Sequence, residues 1–139
     1  MELNYSAILV AAVVQFIIGG IWYMPLFGRT WGRIHGFDVK SPEAQREMQK
    51  GMGPLLVIQF LMGLLTAAVL GLFHVSLPSE WHAFGMAGFF WLGFIMPAQV
   101  SAVIFGGTAP PWVMPKILIS AGGSLACMMG AAAVFHFMQ

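Results

Sequence analysis

Three of the four histidines are the side chains in this sequence most suited to binding a metal ion or to titrating. His74 and His82 flank the short connection between two apolar stretches, Glu80 lies between them, and His136 lies near the end of the last stretch. Imidazole and carboxylate groups bind zinc or copper, and imidazole also changes its charge near neutral pH. Their spacing matches no recognised ligand motif. We therefore predict no metal site and keep His74, His82 and His136 as candidates beside the simpler interpretation, interfacial histidines without a special role.

Glutamines inside the apolar stretches form a second candidate site. Gln15, Gln59 and Gln99 each occur in a different stretch, and Ser101 follows Gln99. We expect the three amides to meet in the interior, where they either fix helix packing by hydrogen bonding or line a polar pathway. No carboxylate or basic side chain lies at the centre of a stretch. This pattern argues against a proton-driven transporter of the usual kind, which places an ionisable group there.

Two prolines interrupt apolar stretches. Proline donates no backbone hydrogen bond and clashes with the preceding turn, so Pro97 frees a carbonyl that another group must satisfy. The kink at Pro97, beside Gln99 and Ser101, is either structural or a functional break. Pro25 ends or bends the first stretch and turns the chain along the membrane surface. The alternative for Pro25 is a site for a ligand or a lipid headgroup.

Known catalytic arrangements are missing from the sequence. It contains no Gly-x-Ser-x-Gly, no His-Glu-x-x-His and no phosphate-binding loop, so we predict neither an enzyme nor a cofactor. The single Cys127 cannot form a disulfide framework within one chain. No basic stripe with exposed aromatic residues is present, which leaves nucleic-acid binding without support.

Composition assigns these residues to a membrane protein. Hydrophobic residues make up 59% of the chain and charged residues 8%, whereas soluble domains carry about a quarter charged residues. A helix needs about 20 apolar residues to cross a bilayer. We predict an all-α polytopic membrane protein, one domain over residues 1–139, with four transmembrane helices in a bundle. The predicted spans lie near residues 5–26, 53–73, 83–104 and 117–137, and the turn at 106–111 separates the last two.

The charged residues predict an orientation. The basic residues of the sequence are Arg29, Arg33, Lys40, Arg46, Lys50 and Lys116. All of them fall before the second or the fourth span, and the connection between His74 and His82 contains none. The positive-inside rule therefore places both basic loops in the cytoplasm and both termini outside it, in the plasma (inner) membrane. Within the first loop, Ser41 and Pro42 predict the start of a short amphipathic helix over residues 42–50.

Small residues recur at four-residue spacing on two of the predicted helices. Such ladders let helix backbones approach closely, either within one chain or between chains. The ladders consist of Gly63, Ala67 and Gly71 on the second span and of Gly122, Ala126 and Gly130 on the fourth.

Three segments resemble a known family. The first runs from Gly20 to Gly28 (Gly-Ile-Trp-Tyr-Met-Pro-Leu-Phe-Gly) and is followed by Trp31; the second is Trp91-Leu92-Gly93-Phe94; the third is the Gly-, Ala- and Met-rich stretch 119–133. In this order and spacing the chain resembles the small bacterial membrane proteins of domain-of-unknown-function family 1761. The resemblance implies a four-span bundle of about this length and no activity. Relatives tend to carry charged residues before the last span, whereas residues 106–111 are uncharged here.

Abundant packing signals beside little polar chemistry favour one class of function. We predict a structural or interaction subunit, embedded in the lipid bilayer and associated with itself or with a larger membrane complex. The alternative is a small oligomeric channel or transporter for a neutral or hydrophobic solute. An enzyme acting on lipids is a third class.

Overall fold

The computed structural model describes residues 2–139, and within them every regular element is helical. The α-helices are α1 (Tyr5–Ile21), α2 (Gly28–Ile34), α3 (Pro42–Lys50), α4 (Met52–Ser76), α5 (Ala83–Phe90), α6 (Met96–Phe105) and α7 (Val113–Met138). Four continuous helical segments are long and apolar enough to cross a membrane: Tyr5–Leu26, Met52–Ser76, Ala83–Phe105 and Pro110–Met138. The prediction of an all-α fold with four apolar helices of spanning length is confirmed. We call these segments spans one to four.

The fourth span begins earlier than predicted. A 3₁₀ turn over Pro110–Trp112 leads directly into α7, whereas the sequence placed the start near residue 117. Pro115 lies in the first turn of α7, where a backbone N–H has no partner within the helix. A proline at this position is compatible with the helix, so span four begins before Pro115 and is longer at its N-terminal end than predicted. The second span likewise extends to Ser76, beyond the predicted end at residue 73.

Both internal prolines lie in or beside a π-helical turn. Trp22–Leu26 forms the first, with Pro25 inside it, and the backbone N–H of Phe27 donates to the Trp22 carbonyl at 2.9 Å. Trp91–Ile95 forms the second, directly before Pro97. A π turn closes its hydrogen bond one residue later than an α turn and so accommodates the missing donor. Pro25 and Pro97 thus interrupt the α-helix as expected, but the short helix α2 that follows the first interruption was not predicted.

Spans one and four form the centre of the bundle. α1 packs between α4 and α7, and α7 also packs against α5 and α6. α4 and α5 contact each other little. Alanine dominates the buried positions, and Met86 and Phe135 are the largest fully buried side chains. Small side chains bring the central helices close together, which is how helices associate in lipid, where no hydrophobic force acts between them.

Both small-residue ladders are used inside the chain. A Cβ atom on Gly71 would lie 3.2 Å from Ile8 Cγ1 and from Phe135 Cε1. On Gly122 it would lie 2.9 Å from the Trp22 ring, and on Gly130 it would overlap Ile18. On Gly63 it would lie 3.9 Å from the Ala12 carbonyl oxygen; Ala67 is fully buried and Ala126 is half-buried. The glycines of both ladders therefore pack inside the chain, against spans one and four.

The short helix in the first loop has the predicted limits. α3 begins at Pro42, and the Ser41 hydroxyl oxygen accepts a hydrogen bond from the backbone N–H of Ala44 at 3.2 Å. The Gln45 side-chain amide donates to the carbonyls of Phe37 at 3.0 Å and Lys40 at 3.3 Å. Side-chain capping at the start and the Gln45 bonds hold this helix against the preceding loop.

Candidate functional site

Trp91, Gln99 and Ser124 form a polar junction between spans three and four. The Trp91 indole Nε1 donates to the Ser124 hydroxyl at 3.0 Å and to the Ala121 carbonyl at 3.1 Å. The Ser124 hydroxyl in turn donates to Gln99 Oε1 at 2.7 Å. The π turn begins at Trp91, and Gln99 lies in α6 just after Pro97. Span three therefore hydrogen-bonds to span four from the first residue of its π turn and again just beyond Pro97. Interhelical bonds of this kind fix helix packing.

A second contact joins the end of span one to span four. The Trp22 indole Nε1 donates to the Ile119 carbonyl at 2.9 Å. A Cβ atom on Gly123 would lie 2.9 Å from Trp22 Nε1 and 3.1 Å from the Tyr23 hydroxyl. Only glycine leaves room for these two aromatic side chains, so the Trp-Tyr segment and the paired glycines of α7 fit each other. The Trp-Tyr segment, which carries the family resemblance, thus packs the end of span one against span four.

The three predicted glutamines do not form one cluster. Gln15 is 7% exposed, and its amide donates to the carbonyls of Gly63 on α4 at 3.1 Å and Ala11 at 3.3 Å. Gln99 bonds instead to Ser124, and Gln59 is exposed on the outside of α4. A helix presents one residue in every three or four to a given neighbour, and Gln59 falls outside that set. The expectation that all three amides meet is therefore wrong.

Two further predicted residues lie outside the polar junction. Pro97 and Ser101 are exposed on the surface of span three. The sequence placed Ser101 in the polar site because it follows Gln99, but successive residues of a helix point in different directions. Ser124 takes its place. Ser124 lies among Gly and Ala residues of α7, and this surrounding sequence gave no indication of a polar contact. Trp91, a single tryptophan inside an apolar span, is the residue that could have indicated the contact from the sequence.

The three candidate histidines line one cavity at the end of the bundle that carries both termini. This outer pocket has a volume of about 230 Å³ and lies between the end of α4, the connection to α5 and the end of α7. His74, His82 and His136 line it together with Ser79, Trp81 and Gln139. His74 Nδ1 is buried and has no hydrogen-bond partner among residues 2–139. The prediction that these histidines share one end of the bundle is confirmed.

The outer pocket is not arranged as a metal centre. Within residues 2–139 no group of three or more His, Cys, Asp or Glu side chains is placed to hold a metal ion. His74 is stacked on Phe135 with ring centroids 6.0 Å apart, and His136 packs against Phe84 at 5.7 Å. His35 lies elsewhere, with Nδ1 2.9 Å from the Trp31 carbonyl. The imidazoles are held apart by aromatic neighbours rather than converging on one point.

A lateral cleft of about 410 Å³ opens between spans two and three. Its walls are Leu65, Thr66, Val69, Leu70 and Phe73 of α4, Phe90, Phe94 and Ile95 of span three, and Met128 at the α7 side. The Thr66 hydroxyl is engaged with the Met62 carbonyl at 3.0 Å. The cleft therefore offers an apolar surface of a size that fits a small hydrophobic ligand.

Comparison with known proteins gives a family and no activity. No curated protein and no solved structure matches the chain. One family model, described as a protein of unknown function (DUF1761), matches residues 6–136, which cover nearly all of the four spans and both π turns. The match confirms the resemblance drawn from the Trp-Tyr segment, Trp91 and α7. The chain belongs to the DUF1761 family of proteins of unknown function.

Proposed function

We propose that this chain is a non-catalytic interaction subunit of a membrane complex and that span three is its docking helix. The observation that carries the proposal is that the rest of the chain buries little of span three apart from Ala83, Met86, Ala87 and Val103. Only 6% of the residues in its most apolar stretch are buried, compared with 33% in span four. Span three is nevertheless fixed to span four by the polar junction, so it presents a rigid surface to the membrane.

The exposed side of span three carries glycines that nothing in the chain uses. At Gly85 and Gly93, no atom beyond the helix's own nearby backbone lies within 4 Å of the position that a Cβ would take. Phe89 lies midway between them, at four-residue spacing on each side, and is 58% exposed. In a lipid environment small residues favour helix association because they let backbones approach. The other small-residue ladders are already occupied, which leaves this surface for a partner.

A second copy of the chain is the partner that we propose. A two-fold interface brings the same patch of two subunits together, and here the patch consists of a phenylalanine flanked by two glycines. Two such surfaces complement each other, because the ring of Phe89 on one copy fits over a glycine of the other. A different membrane protein with a small-residue helix is the alternative occupant, and the test below separates the two.

The test is the mass of the intact complex, purified in mild detergent from native membranes. We expect a defined multiple of the 15.1 kDa chain. Gly85→Leu and Gly93→Leu each reduce the assembly to a monomer that keeps its helical content. Gly53→Leu is the matched control, because Gly53 also has no atom within 4 Å but lies at the start of α4. A monomeric wild-type chain contradicts the proposal, and co-purification of one unrelated protein replaces the second copy as partner.

The lateral cleft favours a second candidate function, a small transporter or channel for a neutral or hydrophobic solute. The cleft is open on one side, and its lining is apolar apart from Thr66. This function predicts that filling the cleft, for example by Val69→Trp, abolishes solute flux in liposomes while the assembly stays intact. The interaction-subunit proposal predicts no flux for the unaltered chain.

We also propose that the chain resides in the bacterial inner (plasma) membrane with both termini outside the cytoplasm. The support is the distribution of basic residues. Five of the six fall between Arg29 and Lys50, and the sixth is Lys116. These positions share one end of the bundle, where Lys116 Nζ lies 5.9 Å from the centre of the Trp31 ring. Aromatic and basic side chains together are typical of the cytoplasmic interface.

A further inference from the structure

The short helix α2 carries a charge that the proposed function does not use. Between Gly28 and Ile34 it contains Arg29 and Arg33 and no carboxylate. The neighbouring helix α3 contains two glutamates, each three residues before a basic residue, and at that spacing opposite charges are neighbours on a helix. The charges of α3 therefore offset one another, whereas the two positive charges of α2 are not offset within their own helix.

The two arginines of α2 share one face of the helix. Arg29 and Arg33 are four residues apart and so lie side by side, and both are exposed. Phe27, Trp31 and Ile34 follow one another at spacings of four and three residues on the opposite face, and all three are half-buried. A charged face opposite an apolar face is the arrangement of helices that lie in the plane of a membrane interface.

Aromatic contacts and one backbone bond hold α2 in place. The ring of Trp31 packs edge-on against Tyr23 with centroids 4.9 Å apart, and Lys116 Nζ of α7 lies 5.9 Å from its centre. Just after α2, the backbone N–H of Phe37 donates to the Gly32 carbonyl at 2.8 Å. The arginines are therefore fixed beside the end of span one rather than carried on a free loop.

The position of α2 places its arginines at the level of lipid headgroups. Span one is 22 residues long and ends at Leu26, and a helix needs about 20 residues to cross the hydrocarbon region. Met24 and Leu26, in the π turn directly before α2, are 65% and 60% exposed and suit the edge of that region. Arg29 and Arg33 follow where the phosphates of the bilayer begin.

We propose that the arginine face of α2, formed by Arg29 and Arg33, binds the headgroups of anionic phospholipids. The argument is charge complementarity. A guanidinium group matches a phosphate with two parallel hydrogen bonds, and basic segments beside a membrane span attract anionic lipids. The opposite end of the bundle carries Glu2 and Glu80 and no Lys or Arg, so this preference belongs to the basic end. The inference rests on the membrane residence proposed above and is independent of docking through span three.

The experiment compares two lipids on the purified full chain. An equimolar mixture of phosphatidylglycerol, which is anionic, and phosphatidylcholine, which has no net charge, is titrated into the protein in mild detergent. Native mass spectrometry then counts the lipids that the chain retains. We expect phosphatidylglycerol to be retained in excess, and the excess to shrink as the salt concentration rises. Arg29→Gln with Arg33→Gln should lower the ratio of the two lipids by about fivefold for each arginine removed.

A second double variant decides whether α2 itself is responsible. Arg46→Gln with Lys50→Gln is the matched control, because it removes the same charge from α3 in the same loop. All four side chains are exposed, so we expect both double variants to keep the helical content of the unaltered chain, measured by circular dichroism. The α3 variant should change the lipid ratio less than the α2 variant, and an equal fall in both overturns the assignment to α2.

Flotation separates this inference from the membrane residence on which it rests. The unaltered chain is reconstituted with vesicles of phosphatidylcholine and centrifuged through a density gradient. A chain that floats with the vesicles but retains the two lipids equally overturns the lipid inference alone, without any variant. A chain that does not float contradicts membrane residence and the lipid inference with it.

Discussion

The indole Nε1 of Trp22 donates a hydrogen bond to the backbone carbonyl of Ile119 at 2.9 Å, and this contact joins the end of span one to the beginning of span four. The carbonyl belongs to a continuous helix, α7, so Trp22 adds a bond to a group already paired along that helix. Gly122 and Gly123 provide the space that the indole ring occupies. The contact explains why a Trp-Tyr segment and a pair of glycines occur together in one chain although they lie far apart in sequence.

Gly123→Ala should destabilise the bundle. The added Cβ would lie 2.9 Å from Trp22 Cδ1 and Nε1, so the indole must move and its hydrogen bond is lost. Overpacking of a filled site costs about 1–3 kcal/mol, and we expect a loss of that size in the free energy of unfolding. Denaturant titration in detergent micelles measures it. Gly20→Ala, at a site with no atom within 4 Å, is the control and should not destabilise the protein.

Gln15→Leu should weaken the contact between spans one and two. It removes the amide donor to the Gly63 carbonyl while keeping a side chain of similar size. Interhelical hydrogen bonds in membrane proteins contribute about 0.6 kcal/mol on average, up to about 1.7, and a loss within that range is expected in the same titration. Gln59→Leu is the comparison, since Gln59 is exposed on α4. Equal losses for the two variants would contradict the structural role of Gln15.

The polar junction should behave as one unit. Ser124→Ala removes the hydroxyl that accepts from Trp91 and donates to Gln99. Gln99→Leu in the unaltered chain should then cost more than Gln99→Leu in the Ser124→Ala background. The difference, obtained from a double-mutant cycle, is expected to be about 0.6 kcal/mol. Additive losses would mean that Gln99 and Ser124 do not interact.

The spans were predictable because their signal is local. A run of about 20 apolar residues defines each span without knowledge of its neighbours, and proline marks both helix interruptions. The cap at Ser41 is equally local and predicted the start of α3 at Pro42. The end of span two and the start of span four were placed less well, because flanking residues continue a helix into the interface when nothing stops them.

The site was predictable only in part because it depends on helix rotation. Gln15, Gln59 and Gln99 are similar in sequence, yet the rotation of each helix about its axis leaves one buried, one half-buried and one exposed. Likewise, the ladder glycines gave no indication of whether their partner was the same chain or another. The indole of Trp22 occupies the space beside Gly122 and Gly123, so the partner of these two glycines is the same chain. The spacing of the glycines alone could not have indicated this.

The orientation can be tested with single cysteines. In a Cys127→Ala background, Ser41→Cys in the basic loop and Ser79→Cys in the connection between spans two and three place thiols at opposite ends of the bundle; both positions are exposed. The positive-inside rule predicts that a membrane-impermeant maleimide added to intact cells labels the Ser79→Cys protein and leaves the Ser41→Cys protein unlabelled until the membrane is permeabilised. The reverse pattern would place the basic loop and the start of α7 outside the cytoplasm, and the outer pocket would then face the cytoplasm.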